Sequence, residues 1–196
     1  MIDNKKLDGQ ERMILRELIK NPRISDNQIS KNTQVPLMTV NRKRKALEES
    51  GIVHYYTGLV RSQKGMGVFS ARQLYVIKFR LGMTQAEYMK EFNTDLAEQQ
   101  ITTKYVMQSF LGEKDGHLAL MLIIEAQSES DLIEIFNTHV VQELQKRYGP
   151  KAIDEIFTAR ITMPLRLHHN YLPTINMERG RIKKSWADNL IFVDEL

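Results

Sequence analysis

Apolar residues recur at helical spacing in three short segments of the first fifty residues, with polar and charged residues between them. In the first predicted helix, within residues 7–21, the apolar face is formed by Ile14, Leu15, Leu18 and Ile19. Ser25 and Gln28 have the spacing of a capping box and open a second, short helix. The third helix is predicted over residues 37–50, and Gly51 ends it. A helix, a short helix, a tight turn and a longer basic helix predict a helix-turn-helix domain.

The third helix carries four consecutive basic residues, in the stretch VNRKRKALEE. Val40 and Leu47 predict its inner face, with Arg44 between them. The outer side is predicted to carry Thr39, Asn41, Arg42, Lys43, Lys45 and Ala46. Arginine and lysine pair with guanine or phosphate, and asparagine pairs with adenine, in the major groove. A solvated amphipathic helix would have a similar pattern, but the two preceding helices favour DNA binding.

A β-rich stretch, IVHYYTGLV, follows Gly51 and leads into the polar turn RSQKGMG. A strand pair here would make the domain a winged variant, with Arg61 and Lys64 able to touch backbone phosphates. The predicted DNA-binding residues are therefore Thr39, Asn41, Arg42, Lys43, Arg44, Lys45, Arg61 and Lys64.

The second half of the chain has strand and helix patterns in the order β-α-β-β-α-β, which predicts a ferredoxin-like domain. Its first strand, residues 74–81, has an apolar face formed by Tyr75, Ile77, Phe79 and Leu81. A capping box at Thr84 opens a helix through about residue 100, and its predicted inward residues are Met89, Phe92 and Leu96. The other predicted elements are strands over 103–111, 117–126 and 152–163, and a helix that Gly149-Pro150 ends.

In such a domain both helices cover one face of the sheet, so the other face is apolar and open unless a partner covers it. The run HLALMLIIEA, residues 117–126, is predicted as a central strand. A homodimer or higher even oligomer formed through this face would bury it. A two-fold dimer would also present two recognition helices to a near-palindromic double-stranded DNA operator.

Charge is distributed unevenly along the 196 residues. Residues 1–66 contain 13 Lys+Arg against 7 Asp+Glu, whereas residues 67–196 contain 15 against 17. The basic N-terminal part is expected to meet an anion, with nucleic acid the leading candidate. The chain has no cysteine, and no apolar run is long enough to span a bilayer. We therefore expect a cytoplasmic protein without membrane contact.

The sequence contains no recognisable catalytic constellation, so we predict that the protein is not an enzyme and uses no cofactor. The adjacent His168 and His169 lack a third ligand at suitable spacing and are interpreted as part of a polar loop, not a metal site. The basic run RGRIKK, residues 179–184, could be a second nucleic-acid contact, a solvated loop or an oligomer contact. The nearby Asp188, Asp194 and Glu195 favour a tail whose charges pair with each other.

These features together resemble the Lrp/AsnC, or feast/famine, family of transcription regulators. The stretches that carry the resemblance are LDGQERMILREL, NPRISDNQISKNTQV, TVNRKRKALEESGIV and GEKDGHLALMLIIEA. The resemblance implies a ligand-sensing, RAM-type second domain in which an amino-acid effector binds between subunits. By this match, the candidate effector-binding residues are Gly112, Glu113, Asp115 and Gly116. The chain departs from the family at the proline Pro36 before the recognition helix, at the charged Arg44, and in its last 30 residues.

The sequence thus predicts an α+β protein with four segments. These are a winged helix-turn-helix domain at 1–54, a wing strand and hinge at 55–72, a ferredoxin-like domain at 73–166, and a C-terminal extension at 167–196. The predicted function is sequence-specific transcriptional regulation under the control of a small molecule. The alternatives are an architectural DNA-binding protein with little sequence preference, or a regulator that needs no effector.

Overall fold

The computed structural model describes residues 7–56, 69–90, 92 and 96–193, and the chain forms two units. The first unit combines Met1–Gly58 with Pro164–Leu196, and the second is Leu59–Met163. The C-terminal extension therefore folds with the N-terminal helices. The sequence left its position open, because no local pattern shows which distant surface a segment will cover.

Three helices form the N-terminal part of the first unit: α1 (Gly9–Lys20), α2 (Asp26–Thr33) and α3 (Leu37–Glu49). Asp8 caps α1 in a capping box with Glu11, and the Ser25 side chain accepts a hydrogen bond from the Gln28 amide at the start of α2. Pro36 precedes α3 and provides no side-chain cap. The core between the helices is formed by Ile14, Leu15, Leu18, Ile29, Val35, Val40 and Leu47. The predicted helix-turn-helix is confirmed.

The second unit is built on a four-stranded antiparallel sheet with the strand order β2-β3-β1-β4. Its elements follow the predicted ferredoxin-like order, and β3 lies in the interior of the sheet as predicted. They are β1 (Ala71–Phe79), α4 (Gln85–Lys90), α5 (Leu96–Tyr105), β2 (Val106–Lys114), β3 (His117–Ala126), α6 (Glu129–Ile135), a π-helical segment (Phe136–Val141), α7 (Gln142–Tyr148) and β4 (Ile153–Arg160).

The helices pack on the sheet face formed by Tyr75, Ile77, Leu122 and Ile124. Four details of the sequence prediction are wrong. Leu81 lies beyond the end of β1 and is exposed, and β2 begins three residues later than predicted because α5 continues to Tyr105. Met89 and Phe92 are also about half exposed, because the inward residue of α4 is Tyr88, which packs against Phe79. The Leu96 side chain lies outside the described part of the structure.

The opposite face of the sheet carries apolar side chains in register across all four strands. One row consists of Phe110, Met121, Val76 and Phe157. Phe110 and Phe157, at the two ends of this row, are 56% and 50% exposed. Ion pairs flank the apolar centre, with Arg72 and Glu125 on one side and Lys78 and Asp154 on the other. This surface is the open sheet face, and the helices of the unit, where described, pack on the other side.

The extension contains a short hairpin of β5 (Met177–Glu178) and β6 (Arg181–Ile182), followed by a 3-10 turn (Asp188–Leu190). Ile191 is buried, and Phe192 packs against the helix-turn-helix core. The predicted self-pairing of the tail is wrong for Asp188, which forms an ion pair with Lys20 of α1 at 3.2 Å. Asp194 and Glu195 lie outside the described residues.

Candidate nucleic-acid interface

The outer surface of α3 presents Asn41, Arg42 and Lys45 to solvent. The Asn41 amide donates a hydrogen bond to Asp26 at 3.0 Å, and Lys45 lies 3.8 Å from Glu49. No ion pair or hydrogen bond joins Arg42 to another residue of the described structure. Thr39 is half-buried beside this surface. These four predicted DNA-binding residues therefore lie at or next to one exposed helix face.

Lys43 does not lie on the outer side of α3, and this part of the sequence prediction is wrong. Its side chain is only 10% exposed, and its ammonium binds the carboxylate of Asp8, with Glu11 4.0 Å away. This hydrogen bond is the main reason that the pKa of Asp8 is lowered. The inner face of α3 thus consists of Val40, Lys43 and Leu47, with the cation neutralised where α1 begins.

Arg44 is also directed into the unit. Its guanidinium donates to Asp26 at 3.0 Å, to Glu48 at 2.9 Å and to the carbonyl of Ile24 at 3.1 Å. Burial lowers the pKa of Arg44, but the hydrogen bonds to Glu48 and Asp26 outweigh it and leave the pKa above its usual range. A phosphate would have to displace these partners. The four-residue basic run therefore provides two outward cations, Arg42 and Lys45, and two that stabilise the domain.

Two exposed features near α3 were missed by the sequence prediction. Met38, in the first turn of α3, is 81% exposed, although an apolar residue there would be expected to pack inward. A side chain of this kind can contact the methyl group of thymine. After α3, Tyr56 is 80% exposed and stacks on His168 of the extension. The predicted wing residues Arg61 and Lys64 lie outside the described residues.

The second unit has a shallow pocket of about 370 Å³ next to the β2–β3 turn. Its lining includes three of the four predicted effector residues, Gly112, Glu113 and Gly116, together with His117 and Met83. The His117 ring lies 2.8 Å from the carbonyl of Phe79 and is fixed by this contact. Asp115 does not line the pocket, because it occupies the turn with a positive φ of 54° and binds Lys114.

The described part of the chain contains neither a cluster of metal ligands nor a helix that could span a membrane. Within residues 7–56, 69–90, 92 and 96–193, no three His, Asp or Glu side chains are grouped closely enough to hold a metal ion. His168 and His169 are both exposed, and the carbonyl of His169 accepts a hydrogen bond from Arg166. No helix in the same residues is long and apolar enough to cross a membrane.

Comparison with a known family supports the helix-turn-helix assignment of the N-terminal part. Residues 7–54 match a family model described as winged helix-turn-helix DNA-binding. These residues contain α1, α2 and α3 together with the exposed Asn41, Arg42 and Lys45. No curated protein shows significant sequence similarity to the chain.

Solved structures resemble the chain across both units. AsnC from E. coli is 15% identical, with 84% of this chain and 97% of that chain covered and a TM-score of 0.59. LrpC from B. subtilis is 19% identical. The match covers 83% of this chain and 99% of that chain, with a TM-score of 0.56. A transcriptional regulator from Neisseria meningitidis, solved as a complex with L-Met, is 15% identical, with 83% and 94% covered and a TM-score of 0.56.

These structures are covered almost completely, whereas about one sixth of this chain has no counterpart in them. The helix-turn-helix, the antiparallel sheet and their order along the chain agree with the resemblance that the sequence indicates. The chain therefore carries a segment similar to winged helix-turn-helix DNA-binding domains, and its fold is that of the AsnC/Lrp-type regulators.

Proposed function

We propose that the protein is a sequence-specific DNA-binding transcriptional regulator of the Lrp/AsnC type. It acts as a homodimer or a higher even oligomer, and it responds to a small molecule such as an amino acid. The observation that carries this proposal is the outer face of α3, where Asn41, Arg42 and Lys45 are exposed on the third helix of a helix-turn-helix.

Each exposed group on α3 matches a different feature of duplex DNA. The Arg42 guanidinium can bind the O6 and N7 atoms of guanine in the major groove, and the Asn41 amide can bind adenine. Lys45 is suited to a backbone phosphate, and Met38 to a thymine methyl group. Lys43 and Arg44 act indirectly in this proposal, since their ion pairs hold α3 against α1 and α2.

The open sheet face supports self-association. Its rows of apolar side chains would be costly to leave in water, since burial of apolar surface contributes roughly 25 cal/mol per Å². A second copy of the chain is the partner that fits, because an isologous interface places like residues near a two-fold axis. Such a dimer carries two copies of α3 and reads two half-sites of one operator.

The pocket beside the β2–β3 turn is the proposed effector site. Its volume of about 370 Å³ is sufficient for an amino acid, and Glu113 offers a carboxylate to an α-ammonium group. The Neisseria regulator was solved with L-Met, which supports the proposed ligand class. Gly112 is closely packed, since a methyl group at this position would approach Met121 to 3.2 Å.

The experiment that tests the function is fluorescence anisotropy of the purified chain with two labelled duplexes over a salt series. One duplex is the region upstream of its own gene, and the other is a scrambled sequence of equal length. The proposal predicts tighter binding to the upstream region by about 1,000-fold or more. Equal affinity for both duplexes would favour the architectural alternative, and no binding to either would reject the proposal.

The effector is tested separately by adding the 20 amino acids one at a time to the protein–DNA complex. At least one of them should change the affinity for the upstream duplex, and Glu113→Gln should reduce that response without changing DNA binding in its absence. If none of the 20 amino acids changes the affinity for the upstream duplex, the result would favour a regulator that needs no effector.

A further inference from the structure

We propose that the β5–β6 hairpin of the C-terminal extension binds the phosphate backbone of the duplex that α3 reads. The contact residues are Arg179 and Arg181 of the hairpin and Lys184, two residues after β6, and all three are exposed. This inference rests on the proposed function, because the hairpin has this ligand only if the unit binds DNA. It assigns a role to the C-terminal extension, whose function the sequence leaves open.

The hairpin is a fixed part of the helix-turn-helix unit. Ile191 is only 1% exposed, and Phe192 packs against the core that the three helices share. The Tyr171 hydroxyl donates a hydrogen bond to the carbonyl of Ile19 at 3.2 Å. Asn176 is completely buried, and its carbonyl accepts a hydrogen bond from the Lys183 amide at 2.8 Å. The cations of the hairpin are therefore held in place relative to α1.

A chain of polar contacts joins the extension to the end of α2. Asp188 binds Lys20 at 3.2 Å, Lys20 binds Glu17 at 2.7 Å, and the Glu17 carboxylate accepts a hydrogen bond from Asn32. Asn32 is in the last turn of α2, directly before the connection to α3. In helix-turn-helix complexes the helix before the recognition helix crosses the DNA backbone. The extension is thus attached to α2, the helix that crosses the DNA backbone when the recognition helix lies in the major groove.

The charge of the hairpin is available for an anion. Arg179, Arg181 and Lys184 form no ion pair with any residue in the described part of the chain. Glu178 lies opposite Arg181 in the hairpin without forming an ion pair in the described structure, and Asp188, the next acidic residue after Lys184, is bound to Lys20. Unpaired, exposed cations held close together gain binding free energy when they replace the counterions of a polyanion.

The hairpin has one arginine, Arg179, in its turn and a second, Arg181, directly after the turn. Arg179 and Gly180 both have positive φ, 50° and 76°, which is the geometry of a type I′ turn between paired strands. Ile182 is buried on one side of the hairpin, so Glu178 and Arg181 lie on the other, outward side. Guanidinium groups suit phosphate because their planar fork can donate two parallel hydrogen bonds.

The test compares three full-length variants with the wild type in the anisotropy salt series. The hairpin variant is R179A/R181A/K184A. The matched control, K90A/K146A/K151A, removes the same charge from exposed positions of the second unit. The third variant, R179K/R181K, keeps the charge of the hairpin. Each protein is first checked by thermal unfolding and by light scattering for its molecular mass.

We expect the hairpin variant to lower the magnitude of the slope of log K against log salt by about 2–3, since each phosphate contact contributes about 0.9. The loss of affinity should be about 10-fold or more at low salt and similar on the upstream and scrambled duplexes. The control should change the slope by less than about 1, and R179K/R181K should retain the wild-type slope.

The possible failures are distinguishable. If the wild type binds the upstream duplex but the hairpin variant has the slope of the control, the hairpin inference is wrong and the proposed function stands. If the hairpin variant changes the molecular mass and not the slope, the hairpin is a contact between subunits and the inference is also wrong. If the wild type binds neither duplex, both proposals are rejected.

Discussion

The ammonium of Lys43 binds the carboxylate of Asp8, 35 positions earlier in the chain. Asp8 is also the residue whose side chain caps α1, so a single carboxylate fixes both the start of α1 and the inner face of α3. This pair changes the interpretation of the RKRK run. One of its cations connects two helices of the domain, while its neighbour Arg42 remains exposed to solvent.

The first prediction concerns Lys43→Met. Methionine preserves the aliphatic contacts but removes the cation that binds the Asp8 carboxylate, so the free energy of unfolding should fall by about 2 kcal/mol. Urea unfolding followed by the fluorescence of Trp186 measures this, because the single tryptophan lies in the same unit. A variant as stable as the wild type would show that the pair contributes little.

The second prediction is that the first unit loses stability in acid through Asp8. The hydrogen bond from Lys43 lowers the pKa of Asp8 below its usual value in the folded state. This hydrogen bond therefore stabilises the folded state fully at pH values above the pKa that Asp8 has in the unfolded chain. The stabilisation is lost as the pH falls below about 4, through the pKa of Asp8 in the folded state. Asp8→Asn keeps an effective helix cap. In this variant the free energy of unfolding should depend less on pH between about pH 5 and about 3. An unchanged profile would assign the acid sensitivity to other carboxylates.

The third prediction concerns Arg42→Ala. The variant should bind the upstream duplex about 10-fold or more weakly, because a guanidinium that contacts guanine contributes roughly 1–3 kcal/mol of discrimination. Its stability should change by less than about 0.5 kcal/mol, because Arg42 is exposed. Anisotropy and urea unfolding measure the two quantities, and Lys146→Ala in the second unit is the control. Wild-type affinity in a folded Arg42→Ala protein would exclude Arg42 from the interface.

The fourth prediction is that the extension stabilises the DNA-binding unit. Ile191 is 1% exposed, so Ile191→Ala should lower the free energy of unfolding by about 3 kcal/mol, through lost burial and a residual cavity. The adjacent Leu190 is 54% exposed, and Leu190→Ala should cost less than about 0.5 kcal/mol. The fluorescence of Trp186 during urea unfolding reports both. Equal effects of the two substitutions would contradict the packing of Ile191 in the unit.

The fifth prediction tests the open sheet face. Phe157→Glu places a carboxylate in the apolar row and should convert an even oligomer into smaller species in sedimentation velocity, because a dimer would bury this charge. Ile133→Glu is the control, since Ile133 is similarly exposed on α6. If both variants sediment like the wild type, the subunits associate through another surface.

The prediction of secondary structure from sequence succeeded where hydrophobic period and capping signals agreed. Short-range patterns predicted the start of α2, the core residues Ile14 and Leu47, and the central position of β3. It failed at α4, where Tyr88 packs inward in place of Met89. Both residues are apolar and adjacent, so only their contacts with the sheet could decide which one is buried.

The sequence by itself determined the helix-turn-helix, the order of the βαββαβ elements and the presence of a basic third helix, because these depend on residue spacing within one element. Only the tertiary structure decided which basic residues remain outside. Lys43 and Arg44 have acidic partners on α1 and α2, and their side chains turn inward because burial of a cation requires a nearby anion. The same holds for the extension, whose position depends on contacts of Phe192 with the helix core and of Tyr171 with Ile19, both more than 100 residues earlier in the chain.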